Sequence, residues 1–466
     1  LNHTNRIWGE AFAWIRDYLG NDAPQISESG HDALVGWLDG AQANHLRVDP
    51  NPPGKDAWFS MRVRCAAAER IPWIDAAHHH RFILHGAGYD ARYRCGLSRR
   101  WHGMYSDDYI TTEVLTGRPG MVDTPFSRDA VRKYWLTQDL ARALALDRID
   151  SVTFVGNYIH YQRVVWESGA VIEVNRGEAD QTVDKHHLPQ YGFLARYPGG
   201  EAAIAWRDGR IVEWSRGPSG WYVNGRGPSR ETPHIQVRSA QILYLGENRI
   251  EVTLFWHAFT PLKEEATVFV HAMDEAETIR FQGDHRPPAP TSEWQGEITT
   301  TAQMKVPAGT PPGSRFEIRA GLYDARTGRR YPLAGLDDGA YAQRLGTFVV
   351  PEAGEQTASV MWSSPDDAAN PRVNLDAAPI DFGGIVTAGG CRIEKDGKDL
   401  RVTALPFSEA FDVCIDWSAL PWELPVPTRI EYLDSAGTVR RTSPALPENR
   451  AVVIAFQPED FGCRLH

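Results

Sequence analysis

Apolar and polar positions alternate in two different ways along this chain, and the change falls near Asp150. Before it, apolar residues recur at helical spacing. Trp8, Phe12, Ile15 and Leu19 share one face of a helix expected over 7–19. A short apolar approach, Ala23-Pro24-Gln25-Ile26, then leads through Ser27 to Glu28, a tight turn at Gly30 and the pair His31-Asp32. A second helix is expected over 33–43, and another short apolar run, 71–77, ends at His78-His79-His80. Next comes a helix whose N-terminus is capped by Ser106 or Asp107 and whose end is marked by Gly117. A brief strand over 118–122 precedes a long amphipathic helix over 128–146, with Val131, Tyr134, Trp135, Leu140 and Leu144 on its apolar side. Helix, short strand, polar loop, helix is the rhythm of an α/β barrel or doubly wound sheet, in which chemistry collects at the carboxyl ends of the strands. About three such units are countable, and a closed eight-stranded barrel takes about 250 residues. Residues 1–150 are therefore expected to hold the C-terminal half of a (β/α)8 barrel.

After Asp150 the period becomes two. Short alternating runs with turn residues between them, and an Asp208-Gly209 hairpin signal, predict an all-β segment over 151–230. A second, over 235–351, has the spacing of a β-sandwich. A Pro/Gly/Glu-containing linker separates it from a third β-rich segment, 357–466. The expected fold class is thus multidomain α/β plus all-β: a partial barrel followed by three β-sandwich-like domains.

Composition narrows the function. With 49 Lys and Arg against 60 Asp and Glu, the net charge is −11, which argues against a nucleic-acid partner or an anionic membrane surface. No apolar run approaches the roughly 18 residues of a membrane span. The 16 Trp and 16 Tyr suit either β-sandwich cores or the gripping of flat sugar rings. Five cysteines, none in a CxxC pair, build neither a zinc ribbon nor a disulfide framework; Cys391 and Cys414 either pair or stay as free buried thiols. The chain starts at Leu1 inside a helical pattern, as a processed product or a piece of a longer protein would.

Three constellations carry candidate chemistry. Glu28 at a strand end suits a proton donor, because partial burial raises a carboxyl pKa, although a helix-capping role accounts for it equally simply. Asp75 with His78 and His80 on one face of a strand, and His79 on the other, suits sugar hydrogen bonding better than a metal, since consecutive histidines lack the usual ligand spacing, and suits a purely structural role at least as well. Tyr105 and Asp108, with Trp101 just before them, combine helix capping with a possible sugar contact, while Trp37 in Gly36-Trp37-Leu38-Asp39-Gly40 reads first as a packing residue. No GxSxG elbow, P-loop, HExxH or GxGxxG in a strand–helix setting is present, which leaves serine hydrolase, NTPase, zincin and dinucleotide readings without support. No cofactor and no metal are expected.

The run Ile26-Ser27-Glu28-Ser29-Gly30-His31-Asp32 resembles the acid box of large bacterial glycoside hydrolases of the endo-α-N-acetylgalactosaminidase-like sort. Ile71-Pro72-Trp73 leading to Phe82-Ile83-Leu84-His85-Gly86, and Tyr105-Ser106-Asp107-Asp108-Tyr109 through Thr116-Gly117-Arg118-Pro119, are similar to segments of the same proteins, as is Leu188-Pro189-Gln190-Tyr191-Gly192-Phe193 to their post-barrel β domain. The segment from Trp294-Gln295-Gly296-Glu297 to Ala320-Gly321-Leu322-Tyr323-Asp324 looks like an accessory sandwich of many bacterial proteins. The resemblance covers about 1–230. It implies O-glycosyl hydrolysis with Glu28 as general acid/base, and His31, Asp32, Trp37, Trp73, Asp75, His78, His80, Trp101, Tyr105 and Asp108 as sugar-contacting residues. It also implies a carbohydrate substrate and an extracellular or periplasmic setting. The partner carboxylate and the first half of the barrel would lie before Leu1, so that this chain alone would be inactive. The rival readings are a non-catalytic carbohydrate-binding or cell-surface protein and a polysaccharide lyase with a His or Tyr base.

Overall fold

The computed structural model describes residues 2–27, 35–42, 73–81, 83–86, 102–123, 126–229, 234–262, 264–274, 278–334, 341–352, 359–363, 372, 374, 376–446 and 450–466. Two compact units are present. One comprises Leu1–Leu97, Trp101–Arg230 and Pro371–His466, the other Ser98–Arg100 and Glu231–Asn370.

The first unit opens with helix α1 (Asn2–Leu19), as its apolar period predicts. Its aromatic and aliphatic residues are not a buried stripe, however: Ile7, Trp8, Trp14, Tyr18 and Leu19 are all exposed, and Gly9 is its buried residue among those whose side chains are described. Three very short strands follow, β1 (Ile26–Ser27), β2 (Gly40–Gln42) and β3 (Ile83–His85), with helix α2 (Trp73–His78) between the last two. They form a parallel sheet in chain order, Ile26 beside Gly40 and Gly40 beside Ile83. Its core is small: Ala41 and Leu84 are buried, with Val35 and Ile74 packed against them.

Helices α3 (Asp107–Leu115) and α4 (Arg128–Leu144) come next, each started by a serine, Ser106 and Ser127, whose hydroxyl accepts the backbone N–H three residues on. Nine strands follow, β4 (Ile149–Phe154), β5 (Tyr161–Trp166), β6 (Val171–Asn175), β7 (Gln181–Val183), β8 (His186–Leu188), β9 (Gly192–Tyr197), β10 (Gly200–Arg207), β11 (Arg210–Gly217) and β12 (Gly220–Asn224); seven of them build most of an antiparallel sheet, and β7 and β8 form a separate two-stranded ribbon. The turn between β10 and β11 is the expected Asp208-Gly209, both at positive φ. Beyond β12 the sheet continues through the distant strand Gly390–Asp396, where Val223 pairs with Cys391, so that among the described residues it reaches 12 strands. The segments read separately as 151–230 and 357–466 thus contribute to one sheet.

Alternation explains what covers each face. Phe193, Ala195, Ala202 and Ile204 pack against Ile110, Val114, Leu136, Leu140 and Leu144 of α3 and α4. Leu194, Ala203, Trp214 and Val223 point the other way, toward Ile385, Val413, Ile415, Val452 and Ile454 of a four-stranded sheet.

The expected partial (β/α)8 barrel is overturned. Among the described residues the protein is mostly β, 46% strand and 15% helix with four helices, arranged in several antiparallel sheets. The reasons are local. The expected helix over 33–43 is interrupted where it is described: Gly36 sits at φ 91°, and Gly40–Gln42 is a strand. The apolar run at 71–77 is helix α2 from Trp73 rather than a strand, and no strand forms over 118–122. Above all, α3 and α4 spend their apolar faces on the antiparallel sheet and not on β1–β3.

The second unit contains two four-stranded antiparallel sheets sharing one core, in which Trp256, Trp294, Val270, Ile318 and Leu345 are buried.

Candidate functional site

Parallel strands in chain order bring their carboxyl ends to one edge, here Ser27, Gln42 and His85. Glu28 is the next residue of the chain after Ser27 and lies, with His31, Asp32 and Trp101, outside the described residues. The rest of the edge can be built from the residues upward.

The chain leaving β3 is tied down at Gly86. The buried Arg118 donates to its carbonyl from Nη1 at 2.6 Å, while Nε and Nη2 hold the two oxygens of Asp75 at 2.6 Å each. This is the fork-on-carboxylate geometry that a guanidinium is shaped for. Asp75 is fully buried on α2, so it braces the loop and presents no open oxygen to a sugar. Gly86 itself sits at φ 70°, and a Cβ there would lie 1.9 Å from the sulfur of Met121. Met121 is fixed in turn: its N–H donates to Glu113 at 2.8 Å, and its carbonyl accepts from Lys133 at 2.8 Å. Burial pushes the Glu113 carboxyl up and the Lys133 ammonium down, against their mutual attraction at 2.6 Å. Lys133 also lies 4.6 Å from the ring centre of Tyr109. At the end of β3, burial together with the charge of Arg118 holds the half-buried His85 below the usual imidazole range.

The histidine run does not lie along a strand. His78 ends α2, and His79 is buried, its Nε2 2.7 Å from the Leu144 carbonyl and its ring edge-on to Trp166. Burial lowers the His79 pKa, so this ring is a neutral packing element. His78 and His80 are half-buried on either side of it. Among the described residues no group of three or more His, Cys, Asp and Glu is placed to hold a metal ion.

Tyr105 and Asp108 sit at the start of α3. The Tyr105 hydroxyl donates to Asp123 at 2.6 Å and accepts that residue's N–H at 3.0 Å. Asp108 is buried, one oxygen 2.8 Å from Arg176 and the other 2.9 Å from Nδ1 of His102. The His102 side chain keeps some exposure and stands edge-on to Tyr191. Asp108 is thus not a sugar contact but the group that orients His102, a residue the sequence reading passed over. Its signal was a His six positions before an acidic helix start. Trp37 is 41% exposed and packs across Gly9 of α1, where a Cβ would come within 2.5 Å of its ring. Nearby, Asp39 accepts from the Gln25 N–H at 2.8 Å and from Arg16 at 2.9 Å, and both contacts, the first foremost, lower its pKa. Trp73 opens α2; its side chain is not among those described.

A second carboxylate cluster lies under α3. Asp107 and Glu213 are buried and share Arg132 and Arg226, with Arg372 added to Asp107 and the hydroxyl of Tyr222, 2.6 Å away, to Glu213. Burial alone would raise both carboxyl groups; the guanidinium charges win, holding Glu213 at about 2 and Asp107 well below its ordinary value. Every oxygen here is committed, which makes the cluster a clamp between helix and sheet. Cys391, Cys414 and Cys463 are free thiols, so the alternative Cys391–Cys414 pair is absent.

No family model, no curated protein and no solved structure matches this chain.

Proposed function

We propose that the protein is a glycoside hydrolase in which Glu28 protonates the leaving glycosidic oxygen. What supports this reading is that Glu28 is the next residue in the sequence after β1, the first of three parallel strands whose carboxyl ends share one edge. Ligands of open α/β sheets collect at such an edge. A general acid needs a fixed approach to the bond it protonates, and the Asp75–Arg118–Gly86 brace supplies rigidity beside β3. Hydrolysis requires a second carboxyl group across the bond. Asp75 and Asp108 are each committed to an arginine, so neither fills that role. The substrate class is a neutral glycan, in keeping with the chain's net charge of −11.

Turnover of mucin-type glycans and other glycosides with unactivated leaving groups by the full-length protein and its Glu28→Gln variant tests the reading. General acid–base groups contribute about 10²–10⁴-fold, and a loss of that order is expected. Undiminished turnover in the variant removes Glu28 from the reaction, and binding without turnover by the unmodified protein favours a carbohydrate-binding role instead.

A further inference from the structure

On the face of the antiparallel sheet turned away from α3 and α4, four side chains stand in one row across four strands. The register places Arg196 of β9 beside Glu201 of β10, Glu201 beside Arg216 of β11, and Arg216 beside Trp221 of β12. One step further along the same strands the residues are Leu194, Ala203, Trp214 and Val223, all core. The row therefore marks where the core ends and the surface begins. Trp422, from the loop after the short helix Trp417–Ala419, meets Trp221 with ring centres 6.0 Å apart and tilted by 42°. Two adjoining clefts of about 570 and 410 Å³ share Pro421 and Trp422, and the smaller is lined by all four residues of the row. Both are open to solvent, as a groove that meets one side of a ligand would be.

We propose that this row, closed by Trp422, is a binding site for a neutral saccharide. Its chemistry is that of sugar recognition. The two half-buried indoles offer apolar faces for ring C–H groups, and their N–H donors have no partner among the described residues. The Arg216 guanidinium lies 4.5 Å from the Trp221 ring centre and donates to the Phe382 carbonyl, and its buried Nε has no hydrogen-bond partner. Glu201 gives one oxygen to the Trp214 indole at 3.0 Å; its other oxygen is open among the described residues. A guanidinium donor next to a carboxylate acceptor matches the paired donors and acceptors of vicinal hydroxyls. Charge selects against an ionic ligand: Arg216 faces Glu201, and Arg196 is neutralised by Asp184 at 2.6 Å.

The test uses the full-length protein carrying Glu28→Gln, so that binding is read without hydrolysis. Maltohexaose, cellohexaose and galactosyl-β-1,3-N-acetylgalactosamine are titrated while tryptophan fluorescence and the indole N–H signals are followed. Saturable binding of at least one of these is expected. Trp422→Ala should weaken it by at least about tenfold, Glu201→Gln less, and Trp422→Phe, which keeps a ring, should retain most of it. An unchanged unfolding midpoint in Trp422→Ala separates a lost contact from a lost fold. Overturning results are no binding of any of the three, binding indifferent to Trp422→Ala, or a Trp422-dependent preference for a decaproline peptide over all three sugars. Failure of the Glu28 reading leaves this site intact: hydrolysis indifferent to Glu28→Gln is compatible with Trp422-dependent binding, and loss of the binding is compatible with hydrolysis that needs Glu28.

Discussion

Asp75 and Arg118, 43 residues apart in the chain, meet through two parallel hydrogen bonds of 2.6 Å, and the third nitrogen of the same guanidinium holds the carbonyl of Gly86. One buried ion pair therefore fixes both α2 and the exit of β3. Removing one partner of such a pair leaves an uncompensated charge inside the protein. Asp75→Asn should cost about 3–5 kcal/mol of stability, measured by urea unfolding, whereas replacing both residues by apolar ones of similar volume should cost much less. Equal losses in the single and double variants would show that the fork does not hold this corner.

The clamp under α3 makes stability depend on acid. Glu213 titrates at about 2 and Asp107 is lowered in the same direction, while in the unfolded chain such groups titrate near 4 to 4.5. Their contribution is complete above the unfolded value and is lost as pH falls through the folded one. The free energy of urea unfolding should decline from about pH 5 toward pH 2, by roughly 3 kcal/mol for Glu213 alone. In Glu213→Gln that decline should flatten, from a lower starting stability.

Gly86 is needed for two reasons, its φ of 70° and the sulfur of Met121 where a Cβ would go. Gly86→Ala should destabilise by about 1–3 kcal/mol. Adding Met121→Ala relieves the crowding but not the backbone, so recovery in a thermal unfolding series should be partial. Full recovery would assign the whole effect to sterics.

The thiols give a further check on the core. Burial pushes Cys391 up to about 12 and Cys463 well above the usual thiol range. Thiolate is the reactive species, so both should resist alkylation by iodoacetamide at neutral pH and react fully once the chain is unfolded in urea. Mass-mapped labelling of Cys391 in the native protein at a rate like that of a free thiol would contradict the packing of the strand Gly390–Asp396.

What the sequence makes legible here is local. The helical period of α1, the Ser106 cap of α3, the buried Leu140 and Leu144 of α4 and the Asp208-Gly209 hairpin all follow from residues within one turn or one hairpin of each other, whereas Tyr134, expected on the apolar side of α4, is exposed. What it hides is the choice of partner. The period of α4 says that Leu140 and Leu144 are buried, but a helix stripe fits an antiparallel sheet as well as a barrel strand, and it is Ile204 and Phe193 that they meet. The pairing of Val223 with Cys391 has no local signature, because period-2 alternation is the same whichever edge a strand joins. For the site, Glu28 and Asp108 were visible as acids near element ends. That Asp108 serves His102 and Arg176, and Asp75 serves Arg118, depends on contacts over 6, 68 and 43 residues that spacing alone does not encode.

The role of Glu28 is tested most directly by the leaving group. A proton donor matters when the departing oxygen is basic and hardly at all when it leaves unaided. Single-turnover hydrolysis by Glu28→Gln of the full-length protein should therefore stay close to normal for a 2,4-dinitrophenyl glycoside and fall by about 10²–10⁴-fold for the corresponding unactivated disaccharide. Equal losses on both substrates, or no loss on either, would contradict Glu28 as the general acid.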